Sequence, residues 1–87
     1  MALYFPNESR YYDAALHAVR FWGHDGAMEA PFFVDEDALK QIQPGTGIDE
    51  AGFLSAFDRN RERIYATAAK VYDRGRKGSY DLRPADF

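Results

Sequence analysis

The side chains that could carry catalysis or bind a metal are few in this chain and do not form a known motif. His17 and His24 are the only histidines, and cysteine is absent. Metal sites need several ligands at short, regular spacings, which these residues do not provide. No serine lies in a G-x-S-x-G motif, and the glycines between residues 45 and 52 lack the lysine of a phosphate-binding loop. We therefore expect a non-enzymatic protein with no catalytic residue, metal or cofactor; an enzyme subunit completed by a partner is the weaker alternative.

Arg61 is an unusual charged residue, because it falls on an apolar stripe. It lies seven residues after Leu54 and seven before Ala68, which is helical spacing. A buried charge without a partner is too costly, so the guanidinium must reach solvent or a carboxylate. We expect a salt bridge from Arg61 to the sheet or to Asp13, and recognition of an anion is the alternative.

A second candidate surface comes from the alternation of residues between Ala18 and Val34, which is typical of a β-hairpin. The outward face of that hairpin carries Arg20, Trp22 and Phe33. Burial under the N-terminal segment or the C-terminal tail is the commoner arrangement for such rings, whereas an exposed aromatic patch marks an interface. We hypothesise that at least one of the two rings lies at an intermolecular contact.

Basic residues form a third candidate surface on one side of the last helix and at its exit. They are Arg59, Arg63, Arg74, Arg76 and Lys77. Such a patch can contact phosphates, but a formal net charge of −3 disfavours nucleic acid as the main partner. Nucleic-acid association is therefore the alternative function.

The hairpin turn is predicted at Asp25-Gly26, since these residue types suit a two-residue turn. In that register Pro31 falls opposite Arg20 at a hydrogen-bonded position, where its missing N–H would break the ladder. The register is therefore open: either the second strand is an edge strand at Pro31, or a longer loop or a bulge shifts the register. The core face is predicted to carry Val19, Phe21, Met28, Ala30, Phe32 and Val34.

Two helix starts follow the hairpin, with Asp35 and Asp49 as the expected N-caps. Between residues 49 and 74 apolar residues recur every three or four positions, which predicts one long amphipathic helix ended by Gly75. Asp58 is expected to face solvent. The core stripe of this helix is predicted to contain Leu54, Phe57, Ile64, Ala68 and Val71, flanked by Phe53, Tyr65 and Tyr72.

Two short β-prone runs precede the hairpin, Leu3-Tyr4-Phe5 and Arg10-Tyr11-Tyr12, and we expect one of them to pair with it. The C-terminal tail is expected to fold back, since Tyr80, Leu82 and Phe87 are apolar. The sequence therefore predicts an α+β fold. It has a small antiparallel sheet of two to three strands, then a short helix and a long amphipathic helix packed on one face.

The length of the chain predicts one domain over residues 1–87. The N-terminus lacks the basic start and apolar run of a signal peptide, and no apolar stretch approaches the roughly 20 residues that span a bilayer. We therefore expect a cytoplasmic protein with no membrane partner.

The order of several short motifs resembles a known family. The motifs are Tyr12-Asp13, Val19-Arg20-Phe21, Phe33-Val34-Asp35-Glu36-Asp37-Ala38-Leu39, Ala56-Phe57, Asn60-Arg61, Ile64 and Ala68-Ala69. They resemble, over nearly the whole chain, the small bacterial family catalogued as domain of unknown function 1488. The resemblance implies a cytoplasmic bacterial protein with a compact α+β fold, and it implies no activity, cofactor or site residue.

The leading hypothesis is a small binding or regulatory module that acts through a protein surface, with another protein or a second copy in a homodimer as its partner.

Overall fold

The computed structural model describes residues 3–87. In chain order its elements are β1 (Leu3–Tyr4), β2 (Arg10–Asp13), β3 (Ala18–Asp25), β4 (Met28–Asp35), α1 (Glu36–Ile42), α2 (Glu50–Arg59), α3 (Arg61–Asp73), β5 (Tyr80–Leu82) and a 3-10 turn (Pro84–Asp86). The architecture is thus α+β, as predicted. None of the helices in this part of the chain has the length and apolar character needed to cross a membrane.

The elements of residues 3–87 include one sheet of five strands. β3 and β4 form its central hairpin, β1 and β2 both pair antiparallel with the other edge of β3, and β5 pairs parallel with β4. The prediction of two to three antiparallel strands is therefore wrong in number, because both β-prone runs of the N-terminal segment pair rather than one. The tail folds back as predicted, but it does so as a further strand, β5.

The β3–β4 turn lies one residue later than predicted at Asp25-Gly26. Gly26 and Ala27 form it, with Gly26 at φ 62°, and a glycine of positive φ in the first turn position is typical of type II′. Each β3 residue therefore meets a β4 residue two positions later than predicted, and every side chain keeps its predicted face. Pro31 lies opposite Trp22 at a non-hydrogen-bonded position, so its missing N–H removes no bond to β3.

One face of the sheet forms the core against all three helices. The sheet contributes to this core Val19, Phe21, Ala30, Phe32, Val34, Tyr80 and Leu82. Met28, which was predicted to join them, is 71 % exposed because it borders the turn. The ring of Phe21 lies 5.3 Å from that of Phe32 and 5.1 Å from that of Phe57, so sheet and helix meet through stacked and tilted aromatic rings.

Both predicted N-caps are confirmed. The Asp35 carboxylate accepts the Ala38 N–H at 2.7 Å, and the Asp49 carboxylate accepts the Gly52 N–H at 2.8 Å. Each bond satisfies one of the N–H groups that the first turn of a helix leaves unpaired. These caps therefore fix where α1 and α2 begin.

The predicted long helix is in fact two helices. α2 ends at Arg59 and α3 begins at Arg61, and Asn60 lies between them at φ −123°, ψ 23°. The Asn60 side-chain amide donates to the Ala56 carbonyl at 2.8 Å and to the Gln43 side chain at 3.0 Å. Asparagine competes for backbone groups in this way, and here it takes the carbonyl that the interrupted helix leaves free.

The buried positions of α2 and α3 differ in part from the predicted stripe. Ala56 and Thr67 become buried, whereas Leu54 and Val71 of the predicted stripe stay partly exposed. At the far end, α3 stops at Asp73, close to the predicted Gly75, but Gly75 does not have the positive φ common in glycines that end helices. Its N–H instead donates to the Tyr72 carbonyl at 3.3 Å, because the last turn of α3 tightens before the chain leaves the helix.

Candidate functional site: the open face of the sheet

The face of the sheet opposite the core carries no helix among residues 3–87. Strand alternation places on it the predicted residues Arg20, Trp22 and Phe33. Pairing of the outer strands adds three residues that the sequence analysis did not select. We call the following set the open face: Tyr4, Tyr11, Arg20, Trp22, Phe33 and Asp81.

Four residues of the open face form a central row across the strands. Tyr11 of β2 pairs with Arg20 of β3, Arg20 pairs with Phe33 of β4, and Phe33 pairs with Asp81 of β5. Neighbouring strands lie about 4.8 Å apart. The central row therefore places the backbone positions of Arg20 and Asp81 at similar distances on the two sides of Phe33.

Arg20 is held between two aromatic side chains. Its guanidinium carbon lies 5.0 Å from the centre of the Trp22 ring and 5.4 Å from that of Phe33, within cation–π range. Its Nε is buried and has no hydrogen-bond partner. Within residues 3–87 no carboxylate forms an ion pair with Arg20. The rings thus orient the guanidinium but leave its charge unpaired.

Exposed side chains with large apolar parts lie on and beside the open face. Tyr11 is 59 % exposed, Tyr4 is 49 % exposed, and Leu16 in the loop before β3 is 57 % exposed. Leu16 also lines a cleft of about 320 Å³ at one end of the open face. The other lining residues are Ala18, Phe33, Asp35, Asp81 and Arg83.

Asp35, which lines this cleft, is already hydrogen-bonded to the backbone of α1. Burial raises the pKa of its carboxyl group, although the hydrogen bond from the Ala38 N–H acts in the opposite direction. Because that bond caps α1, Asp35 has a structural role. Asp81 is the more accessible carboxylate of the cleft.

Within residues 3–87, the buried rings of the chain ends lie on the helix side of the sheet and not over Trp22 and Phe33. Phe5 of the N-terminal segment stacks on Tyr65 at 4.0 Å, on the helix side of the sheet. The tail buries the alternate residues of β5 on that same side. Trp22 and Phe33 are half-buried on the open face.

Arg61 lies in a separate cluster on the helix side. Its Nη2 donates to Asp58 Oδ1 and to the Glu8 carbonyl, both at 2.8 Å, and its Nη1 donates to the Tyr65 hydroxyl at 2.7 Å. The side chain is 17 % exposed. The structure thus gives Arg61 a carboxylate on the neighbouring helix, and not Asp13 or a carboxylate of the sheet.

Asp58 is the centre of this cluster, so the expectation that it merely faces solvent is wrong. Arg10 of β2 donates to both of its carboxylate oxygens, at 2.9 and 2.8 Å. The hydrogen bond from Arg10 holds the pKa of Asp58 below its usual range, and the bond from Arg61 acts in the same direction. The geometry is that of a tie between β2, α2 and α3.

The predicted basic patch is divided between two places. Arg74 forms an ion pair with Asp86 at 3.0 Å, and Arg76 lies 3.8 Å from Asp25. The remaining three residues, Arg59, Arg63 and Lys77, are exposed. Since a helix rises about 1.5 Å per residue, Arg63 in the first turn of α3 and Arg74 just after its end are roughly 16–17 Å apart along the helix axis. The five residues therefore do not form one continuous unpaired surface.

Tyr11 and Asp81 are the open-face residues that sequence reasoning missed most plainly. Each is the middle residue of a three-residue run whose neighbours face the core. The alternation can be read from the sequence, but which face of the sheet each residue occupies depends on how its strand pairs with the central hairpin.

Among residues 3–87, no three histidine, aspartate or glutamate side chains lie close enough together to hold a metal ion.

Comparisons with known proteins agree with the fold. The model of a family described as protein of unknown function (DUF1488) matches residues 3–83, and comparison with curated proteins gives no match. A crystal structure of a protein of unknown function from the DUF1488 family of Shewanella loihica PV-4 is similar, with a TM-score of 0.82 and 19 % identity, covering 93 % of this chain and 91 % of that one. At this identity the likeness shows a shared fold alone. The family match confirms the resemblance seen in the motifs: this protein belongs to DUF1488, a family of proteins of unknown function.

Proposed function

We propose that this protein is a non-enzymatic binding module that attaches to another protein chain through the open face. The observation that carries the proposal is the state of Arg20. Its guanidinium is oriented by Trp22 and Phe33, its Nε is buried without a partner, and no helix of residues 3–87 covers that side of the sheet. No carboxylate of residues 3–87 pairs with this guanidinium, and a partner that supplies one gains a charge-assisted hydrogen bond.

The composition of the open face supports a protein as the partner. Tyrosine, tryptophan and arginine are enriched among the residues that dominate protein interfaces. Arg20 is already restrained by its two rings, so binding orders fewer side-chain rotations than it would for a free arginine. The same rings would exclude water from an ion pair that Arg20 forms, which strengthens the pair.

The distribution of charge supports a protein over a nucleic acid. The central row places Asp81 beside Phe33, and a carboxylate there repels phosphates. Away from the open face, Arg74 and Arg76 already lie beside carboxylates of this chain. A protein surface with both charges and apolar groups fits the open face better than a phosphate backbone does.

Photo-cross-linking tests the proposal at two matched positions. Tyr11, 59 % exposed on the open face, is replaced by a photo-activatable phenylalanine in the cells that produce the protein. Ile48 is the control position, because it is 81 % exposed in the loop between α1 and α2. We expect a discrete cross-linked protein product from position 11 and none from position 48.

Two results of that experiment would overturn the proposal. One is the absence of any protein adduct at position 11, and the other is the same set of adducts at both positions. A further variant, Arg20→Ala, should abolish the adduct at position 11, since the partner is expected to engage Arg20. The intact mass of the adduct also reports whether the captured chain is a second copy or a different protein.

A further inference from the structure

Arg20 and Asp81 occupy equivalent positions on either side of Phe33 in the central row. Arg20 lies one strand to one side of it and Asp81 lies one strand to the other, both on the open face. A twofold axis that runs parallel to the strands above Phe33 exchanges the two sides of the row. Such an axis places Arg20 of one copy over Asp81 of the other, twice, and stacks the two Phe33 rings at its centre.

We propose that the chain bound at the open face is a second copy of this protein, joined through two reciprocal Arg20–Asp81 ion pairs. The inference rests on the proposed function and names its partner. Two copies related in this way pack sheet on sheet with their strands aligned, a common arrangement with the layers about 10 Å apart. Each Arg20 then acquires the carboxylate that residues 3–87 of its own chain do not supply.

The other simple twofold arrangement is disfavoured by charge. An axis that runs across the strands, along the central row, places Arg20 over Arg20 and Asp81 over Asp81. Like charges in contact within an interface cost several kcal/mol. The row is therefore complementary to itself in one orientation only, which is how a symmetric interface specifies its geometry.

The contacts that Asp81 makes in its own chain do not prevent this pairing. Arg83 lies 3.8 Å from Asp81, and the two side chains are 71 % and 60 % exposed. Exposed ion pairs of this kind contribute between nothing and about 1 kcal/mol. Arg20, held between two rings, offers Asp81 a better-shielded partner in the dimer.

Charge reversal provides the test, because the dimer contains each pair twice. Arg20→Asp and Asp81→Arg should each raise the dissociation constant of the dimer by about a hundredfold or more, since each places like charges together. In an equimolar mixture of the two variants, every contact between positions 20 and 81 of different variants joins opposite charges. The mixture should therefore form a heterodimer, although neither variant forms a dimer alone.

Sedimentation equilibrium measures the result against the chain mass of 9.9 kDa. The wild type and the control Glu62→Arg, an equal charge reversal on the exposed side of α3, should both reach twice that mass. Circular dichroism checks that each variant is folded. If Arg20→Asp unfolds, Asp81→Arg compared with Glu62→Arg decides the question, because the Asp81 side chain is 60 % exposed.

The outcomes separate this inference from the proposed function. A wild type that stays monomeric at its highest soluble concentration overturns the dimer, as do single variants that dimerise normally or a mixture that does not associate. If the wild type is monomeric while position 11 cross-links to a different protein, the binding role of the open face stands and only the second copy is wrong.

Discussion

Substitution of Asp58 by asparagine should destabilise the protein, although Asp58 lies on the surface. Its carboxylate accepts two hydrogen bonds from Arg10 and one from Arg61, at 2.8 to 2.9 Å. Asparagine keeps the shape and a similar helix propensity, but it removes the charge and one acceptor oxygen. The change therefore weakens the tie between β2, α2 and α3 without altering the core.

The size of the effect follows from the exposure of the three side chains. They are 40 % (Asp58), 33 % (Arg10) and 17 % (Arg61) exposed, so solvent screens the pairs partly but not fully. An exposed ion pair contributes up to about 1 kcal/mol, and bidentate geometry favours the upper end. Loss of both pairs should cost about 1–2 kcal/mol, which for a domain of this size lowers Tm by roughly 5–15 °C.

Thermal or urea unfolding of Asp58→Asn measures this loss. Asp73→Asn is the matched control, because Asp73 is an exposed aspartate near the end of α3. Surface changes of that kind stay within about 0.5 kcal/mol. If the two variants unfold with the same free energy, the cluster at Asp58 contributes nothing and its assignment as a structural tie is wrong.

Three further predictions follow from specific contacts. The difference in unfolding free energy between wild type and Asp58→Asn should become smaller below about pH 4. The pKa of Asp58 is lowered in the folded protein, so its carboxylate stabilises the fold above the pKa of the unfolded state and loses that contribution as it is protonated. Unfolding free energies measured at several pH values test this prediction. Gly52→Ala should lower the free energy of unfolding by about 1–3 kcal/mol, because the added Cβ would lie 2.6 Å from the Gly47 carbonyl carbon. The control Gly78→Ala, whose Cβ would meet no atom within 4 Å, should leave it unchanged; a urea titration measures both. Asn60→Ala should lose about 1–2 kcal/mol in the same assay with the bonds to Ala56 and Gln43; an unchanged midpoint would contradict the stated cause of the helix break.

The faces of the central hairpin could be predicted from sequence although its turn could not. A shift of two residues preserves strand alternation, so Arg20, Trp22 and Phe33 stayed on one face when the turn moved. Asp25-Gly26 and Gly26-Ala27 both offer a glycine for positive φ, and local sequence does not choose between them. The observed register is the one in which Pro31 removes no hydrogen bond to β3.

The features that sequence reasoning missed depend on distant contacts. The helix break at Asn60 interrupts no apolar period, and its side chain is held in part by Gln43, from the end of α1. Likewise, the outward direction of Tyr11 and Asp81 follows only once β2 and β5 pair with the hairpin. Such short segments carry too little alternation to predict their pairing partner.

The solvent accessibility of Trp22 tests the central claim most directly, because Trp22 is the only tryptophan of the chain and lies on the open face. Acrylamide quenching of its fluorescence should be measured from the lowest detectable to the highest soluble protein concentration. We expect the quenching constant of the wild type to fall as the concentration rises, because a second copy covers the ring, and that of Arg20→Asp to stay constant. A quenching constant of the wild type that does not change with concentration would contradict the dimer at the open face.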